Sequence, residues 1–189
     1  MYRNCTTEDS VRRQRQFELL LLDAMASKSY SQITIGELCQ TVGISRSAFY
    51  RYFDSKEDIL YALIDHTLMD YYQTQLDCPL KLESYRDEIA PFLEYWQNQK
   101  TLLDVIQKNE LDGVFLQRCM KHTMGRPLDE RFDPLLGTES RYQVTLFAIT
   151  GLFTLILDWH HNGYHQSISQ MSEMMERIML KPLVIPIVD

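Results

Sequence analysis

Along most of this chain apolar residues return every three to four positions, which predicts helices. In "SVRRQRQFELLLLDAMASKSY", Phe17, Leu20, Leu21, Ala24 and Met25 keep that spacing behind a cap at Ser10. The next segment, "ITIGELCQTVGIS", opens with Thr34 as an N-cap and Glu37 three residues on, as in a capping box. Ile35, Leu38, Cys39 and Val42 then form a one-sided stripe on a helix of roughly two turns. Gly43 stands where a left-handed residue would stop it and turn the chain sharply. Ser45 caps a third, short helix. Asp54-Ser55 begins a fourth, from Lys56 towards Leu76, with Ile59, Leu60, Leu63, Ile64 and Leu68 facing inward. Short helix, glycine turn, short helix is a helix-turn-helix arrangement.

Cys78-Pro79 reads as the end of the fourth helix and as a domain boundary candidate. Further helices are expected at Tyr85–Gln99, Lys100–Lys108, Asp112–His122, Arg141–Asn162 and Ser167–Leu180. "MGRPLDERFDPLLGTES" reads as a broken stretch, Pro182 ends the pattern, and "LVIPIVD" is assigned no element. The expected fold is all-α: an N-terminal helix-turn-helix domain over residues 1–56 and a helical body over residues 57–189.

Composition agrees with helices, since only seven glycines and six prolines punctuate 189 residues. A formal charge of −7 excludes a chain that binds nucleic acid over its whole surface. The charge is unevenly spread. Between Ser10 and Lys56 seven Lys or Arg face four acids, whereas residues 57–189 hold eleven basic and twenty acidic residues. This suits a small anion-facing module on an acidic body. Cys5, Cys39, Cys78 and Cys119 are widely spaced, so neither a zinc site nor a disulfide framework is expected. The start, "MYRNCTTEDSVRRQRQ", has no apolar signal-type segment, and Val144–Trp159 reads as a buried helix rather than a membrane span. A cytoplasmic protein without a membrane partner is the expectation.

The stretch "GISRSAFYRYF" carries the functional question. On a helix starting at Ser45, Ala48, Phe49, Tyr52 and Phe53 share one angular sector, and Arg46, Tyr50 and Arg51 project elsewhere. Phe49 and Phe53 read as core. Arg46, Ser47 and Tyr50 stand at the end of the helix that enters a major groove in such motifs. Arg can donate twice to guanine, and hydroxyls can reach phosphate or base edges. Lys56 and the helix N-terminus add positive potential for a phosphate backbone. A solvated basic helix face is the alternative reading of the same residues.

Residues 11 to 64, above all "ITIGELCQTVGISRSAFYRYFDSKEDIL", resemble the N-terminal domain of the TetR family of bacterial transcriptional regulators. The family pattern is met by Gly43, Ser45, Phe49, Tyr50, Phe53, Ser55, Lys56, Glu57 and Leu60, while Tyr52 stands where His is frequent and Ala48 where Thr is. The resemblance implies that Thr34 begins the second helix near phosphate, that Ser45, Arg46, Ser47 and Tyr50 lie at the DNA, with Tyr52 beside them, and that Lys56 grips the backbone. Gly36 takes a position at which some members place a base-contacting side chain. The resemblance further implies a homodimer on a palindromic double-stranded operator and a body that dimerises and binds a small-molecule effector. A ligand-responsive repressor is the first reading. A TetR-like protein acting as a co-activator through a protein partner is the second.

In the body, the last two helices are the expected dimer pair. Tyr95, Trp96, Phe115 and Phe147 are candidates to line an effector cavity, although core packing accounts for them equally. The methionines of "MSEMMERIM" read as core or interface. "DWHHNGYH" reads as a helix end with a glycine stop rather than a metal site, because His160 and His161 point to different faces. Its "W…NG" shape resembles a TetR-like subgroup that includes an activator of dihydroxyacetone-utilisation genes. No nucleophile–base–carboxylate set, phosphate-cradling loop or metal motif is present, so neither catalysis nor a cofactor is expected.

Overall fold

A computed structural model describes residues 2, 3, 5–77, 85–124 and 138–180. Cys78-Pro79, most of the "MGRPLDERFDPLLGTES" stretch and the "LVIPIVD" tail lie outside the described residues. The described residues form an all-α fold, with no strand among them. The helices are α1 (Glu8–Ser27), α2 (Ile35–Val42), α3 (Arg46–Phe49), α4 (Lys56–Asp77), α5 (Tyr85–Asn98), α6 (Lys100–Lys108), α7 (Asp112–Met124), α8 (Thr138–His161) and α9 (Ile168–Leu180). A 3₁₀ turn, Tyr30–Gln32, joins α1 to α2 and has no counterpart in the sequence pattern.

Helix α1 starts earlier than the apolar spacing indicates. Thr7, not Ser10, is its cap: the Thr7 hydroxyl accepts from the Ser10 amide at 3.4 Å, and Glu8 and Asp9 fill the first turn. Two acids at that position favour an early start because they face the positive end of the helix. At α2 the Thr34 hydroxyl accepts from Glu37 N at 3.3 Å. The Glu37 carboxylate touches the Thr34 hydroxyl at 3.4 Å and pairs with Lys28, which holds its pKa below the usual range. Gly43 ends α2 at φ +76°, with Gly43 N and Ile44 N both bonded to Cys39 O, a closure that favours glycine. Ser55 caps α4 by accepting from Asp58 N, and Asp58 accepts in turn from Asp54 N.

The core runs without a break from the N-terminal helices into the body. Phe17, Leu21 and Met25 of α1 are fully buried, as are Phe49, Phe53, Ile59 and Ile64. Helix α1 packs on α4 and α6, α4 on α7, and α7 on α8. Charged groups are sealed into this junction. Asp65 of α4 is bound by Arg118 of α7 through Nε at 2.8 Å and through Nη2. His122 Nε2 lies 3.0 Å away, and the Tyr2 hydroxyl donates to the same carboxylate at 2.8 Å. Beside it Glu18, buried on α1, meets His66 Nδ1 at 2.8 Å and Arg15 at 3.3 Å. A carboxylate without solvent is tolerable only when so surrounded.

Helix α8 carries the most apolar run. Tyr142–His161 has a mean hydropathy of 1.3 and would pass for a membrane span by length and composition alone, yet it packs on α5, α6 and α7. Its inward positions are Thr145, Ile149, Phe153, Ile156 and His160, and its outward positions Val144, Phe147, Gly151, Thr154 and Asp158. Expected outcome: Arg118→Met leaves Asp65 buried without its cation and costs about 3–5 kcal/mol. Urea unfolding measures this, and the double change with Asp65→Asn is expected to recover more than half of the loss.

Candidate nucleic-acid interface

Helix α3 has a single turn, too short to persist alone. Its inner side supplies what its length cannot. Phe49 packs edge-on to Phe17 at 5.3 Å between ring centroids, Phe53 does so at 5.8 Å, and the two phenylalanines lie 5.6 Å apart. Both are completely buried, as their spacing predicts. With that side anchored, Ser45, Arg46, Ser47, Tyr50 and Arg51 are held at the surface.

The seven residues expected at DNA divide by what their polar groups already do. The Ser45 hydroxyl caps α3 by accepting from Ala48 N at 3.2 Å and lies 2.9 Å from the Ser47 hydroxyl. Thr34 caps α2. Tyr52 is half-buried against the core, and its carbonyl accepts from Arg3 N at 3.0 Å. Lys56 is half-buried too: its ammonium donates to Tyr30 O at 2.6 Å and Ile33 O at 2.8 Å, and sits 4.2 Å from the centre of the Tyr30 ring. Two of its three N–H donors therefore tie the start of α4 to the turn before α2. Tyr50 is exposed, with its ring edge against Phe49. Arg46 is exposed, and its side chain makes no hydrogen bond or ion pair among the described residues. Its guanidinium lies over Gly36 of α2.

Sequence reasoning missed the ties behind this surface. The Asn109 side chain accepts from Tyr30 N at 2.6 Å, and Lys108 donates to Ala26 O, so α6 and the residue after it brace the α1–α2 connection. The N-terminal arm bonds to the chain after α3 through Arg3 and to Asp65 through Tyr2. Such partners are tens of residues apart and no local pattern marks them.

This geometry has a counterpart among family models. Residues 22–63 match that of "Bacterial regulatory proteins, tetR family". They are a tetR-family helix-turn-helix domain. A curated relative, the HTH-type dhaKLM operon transcriptional activator DhaS of Lactococcus lactis subsp. lactis (strain IL1403), is 34% identical over 79 residues. That alignment covers 38% of this chain and 42% of the relative, less than half of its length. Two solved structures share the fold. The dihydroxyacetone kinase operon activator DhaS has a TM-score of 0.55 at 17% identity, covering 88% of this chain and 93% of the other. The fatty acid degradation regulator FadR from Bacillus halodurans has 0.57 at 14%, covering 96% and 99%.

Behind the tetR-family domain, three of the four effector candidates are packed ring against ring. Trp96 and Phe115 are fully buried 5.3 Å apart, and Phe153 lies 5.4 Å from Trp96. Tyr95 donates to Thr67 O, and burial pushes its phenol up to about 12. Phe147 does not join them; it is 60% exposed on the outer stripe of α8. A cleft of about 360 Å³ opens instead where α1 and α4 meet the α5–α6 junction, with Arg15, Glu18, Asp70 and Gln99 at its polar side and Leu63 and Leu102 at its floor. In "DWHHNGYH", His160 bonds to Asp104 at 3.1 Å and to the Tyr164 hydroxyl at 2.7 Å, and Gly163 turns the chain at φ +65°. No group of three or more metal-capable side chains occurs among the described residues. Expected outcome: Lys56→Met releases two buried-side carbonyls and lowers stability by about 1–3 kcal/mol in urea melts, with an unchanged m-value.

Proposed function

We propose that the protein is a DNA-binding transcription regulator of the TetR-like type, acting as a homodimer on a palindromic double-stranded operator. The observation that carries this is the division of α3 and the turn after it: Phe49 and Phe53 spend the inner side on the core, and Arg46, Ser47 and Tyr50 present theirs to solvent. Arg46 brings five donors with no internal partner, a form suited to guanine or phosphate. Lys56 keeps one N–H for a phosphate, and Thr34 and Ser45 act as caps that set the angles of α2 and α3. The domain reading is residues 1–56 for DNA and 57–189 for the body, with the core continuing across the division.

The outer stripe of α8 supports the homodimer. Val144, Phe147, Gly151, Thr154 and Asp158 recur every 3.5 residues on average, and Phe147 and Tyr142 are more than half exposed. A second copy of α8 and α9 would cover this stripe. Two chains would then place two α3 helices on one face of a duplex. An effector would act by favouring a spacing of these helices that cannot meet both half-sites. The link is α4, which holds Tyr30 and Ile33 at its first residue and Arg118 at Asp65. Repression was the first reading from sequence. The two DhaS proteins are named as activators, which favours the activator reading as a second; a reporter with the operator placed upstream or downstream of the promoter separates them.

Expected outcomes are two. Fluorescence anisotropy against duplexes from the protein's own upstream region should show sequence-selective binding that weakens with salt, and Arg46→Ala should cost about 1–3 kcal/mol and relax selectivity at one base position. Absence of selective binding by the wild type rejects the proposal. Phe147→Glu should weaken dimerisation by about 2–4 kcal/mol, seen as monomer by light scattering after size exclusion.

A further inference from the structure

We infer that Gly36 is a specificity determinant that works by making room for Arg46 at the seam between α2 and α3. The inference rests on the regulator reading above. A Cβ built on Gly36 would lie 2.5 Å from Arg46 Nη2, 3.3 Å from Cζ and 3.4 Å from Nε. Nη2 comes closest, so the tip of the guanidinium rests on the first turn of α2, with Cζ and Nε behind it near contact distance. A Cβ at this position would push the flexible tip of the Arg46 side chain out of the place it now occupies. Gly36 is helical, without the positive φ that Gly43 needs, so backbone conformation does not account for glycine here. In a helix glycine is less favourable than alanine. What the small residue provides at Gly36 is space.

The guanidinium in that space is electrostatically unsettled. It lies against the positive end of α2 and has no carboxylate or carbonyl partner among the described residues. The nearest acidic group on α2, Glu37, is paired with Lys28. A planar fork with unspent donors, exposed at the seam between α2 and α3 and hydrated in the free protein, is open to acceptors from a partner. The O6 and N7 atoms of a guanine supply a matching pair of acceptors, and phosphate oxygens supply a less selective one. Gly36 is thus a positioning residue for Arg46, and the seam, not α3 alone, sets the register of the arginine on the duplex.

The test uses the full chain and a randomised duplex library, with binding sites selected for wild type, Gly36→Ala, Arg46→Ala and the double variant. Thermal melts accompany each protein. Wild type is expected to select guanine at one position of each half-site, and Arg46→Ala to lose that preference. Gly36→Ala should reduce the preference there by about tenfold and leave the other positions unchanged, with a melting temperature equal to or above wild type. In the Arg46→Ala background the same change should do nothing to affinity, since the effect passes through the arginine. Unchanged base preferences in Gly36→Ala, or an equal loss with and without Arg46, overturns the inference while leaving the regulator reading intact. No sequence selection by wild type overturns both. Gly36→Ser, with a side chain of different chemistry but the same Cβ, should reproduce Gly36→Ala; a wild-type preference in it also overturns the inference.

Discussion

Everything the surface of this domain can do depends on three phenylalanines. A helix of one turn fixes several backbone dihedrals for a single hydrogen bond and does not form alone. Helix α3 exists because Phe49 is pressed into Phe17 of α1 and the following turn is pinned by Phe53. Full burial of each ring contributes about 1.5–3 kcal/mol towards offsetting the cost of ordering these residues. The caps and ties then fix direction. Ser45 sets where α3 starts, Gly43 the angle at which α2 leaves, and Lys56 the distance from α4 to the turn before α2.

The same economy governs the connection to the body. Helices α1 and α4 are held together by apolar packing and by buried Glu18 with His66, and charge also ties α4 to α7 through Asp65 with Arg118 and His122. Apolar contacts tolerate sliding by fractions of a side chain. A bidentate carboxylate–guanidinium pair does not, because displacement strands a buried charge. Such a junction resists gradual displacement, the property that the proposed coupling of the body to α3 would draw on. Tyr2 and Arg3 add a second strand to this connection, since the arm touches both Asp65 and the carbonyl of Tyr52.

The helices themselves were legible from local rules. The spacing of Ile59, Leu60, Leu63 and Ile64, the capping role of Thr34 and Ser45, and the left-handed stop at Gly43 all act within one or two turns, and the sequence displays them directly. Phe49 and Phe53 could be placed inside by angle alone. Lys56 could not be placed: basic charge beside a helix-turn-helix reads the same whether its ammonium faces a phosphate or two carbonyls more than twenty residues away. Phe147 shows the converse limit. An aromatic in an apolar helix reads as core or cavity, and only the position of neighbouring helices reveals that it lies on the outer stripe of α8. Thr7 was hidden for a smaller reason, because the polar first turn of α1 carries no apolar spacing to mark it.

Charge finally decides how such a protein could approach DNA. Residues 57–189 carry a formal charge of −9, whereas Ser10 to Lys56 carry +3. At long range the duplex and this body repel each other. At about 0.15 M salt the screening length is roughly 8 Å, so at contact the near basic surface governs and the acidic body is largely screened. Several of those cations are already engaged, Arg12 with Asp9, Arg15 with Glu18 and Asp70, Lys28 with Glu37. Few are left to neutralise phosphates, and non-specific attraction is correspondingly weak. Added salt removes counterion release and body repulsion together, and these act in opposite directions. The measured salt slope would therefore understate the number of phosphates touched. Selectivity for such a protein must come from close contacts at α2 and α3, where unspent donors such as those of Arg46 count most.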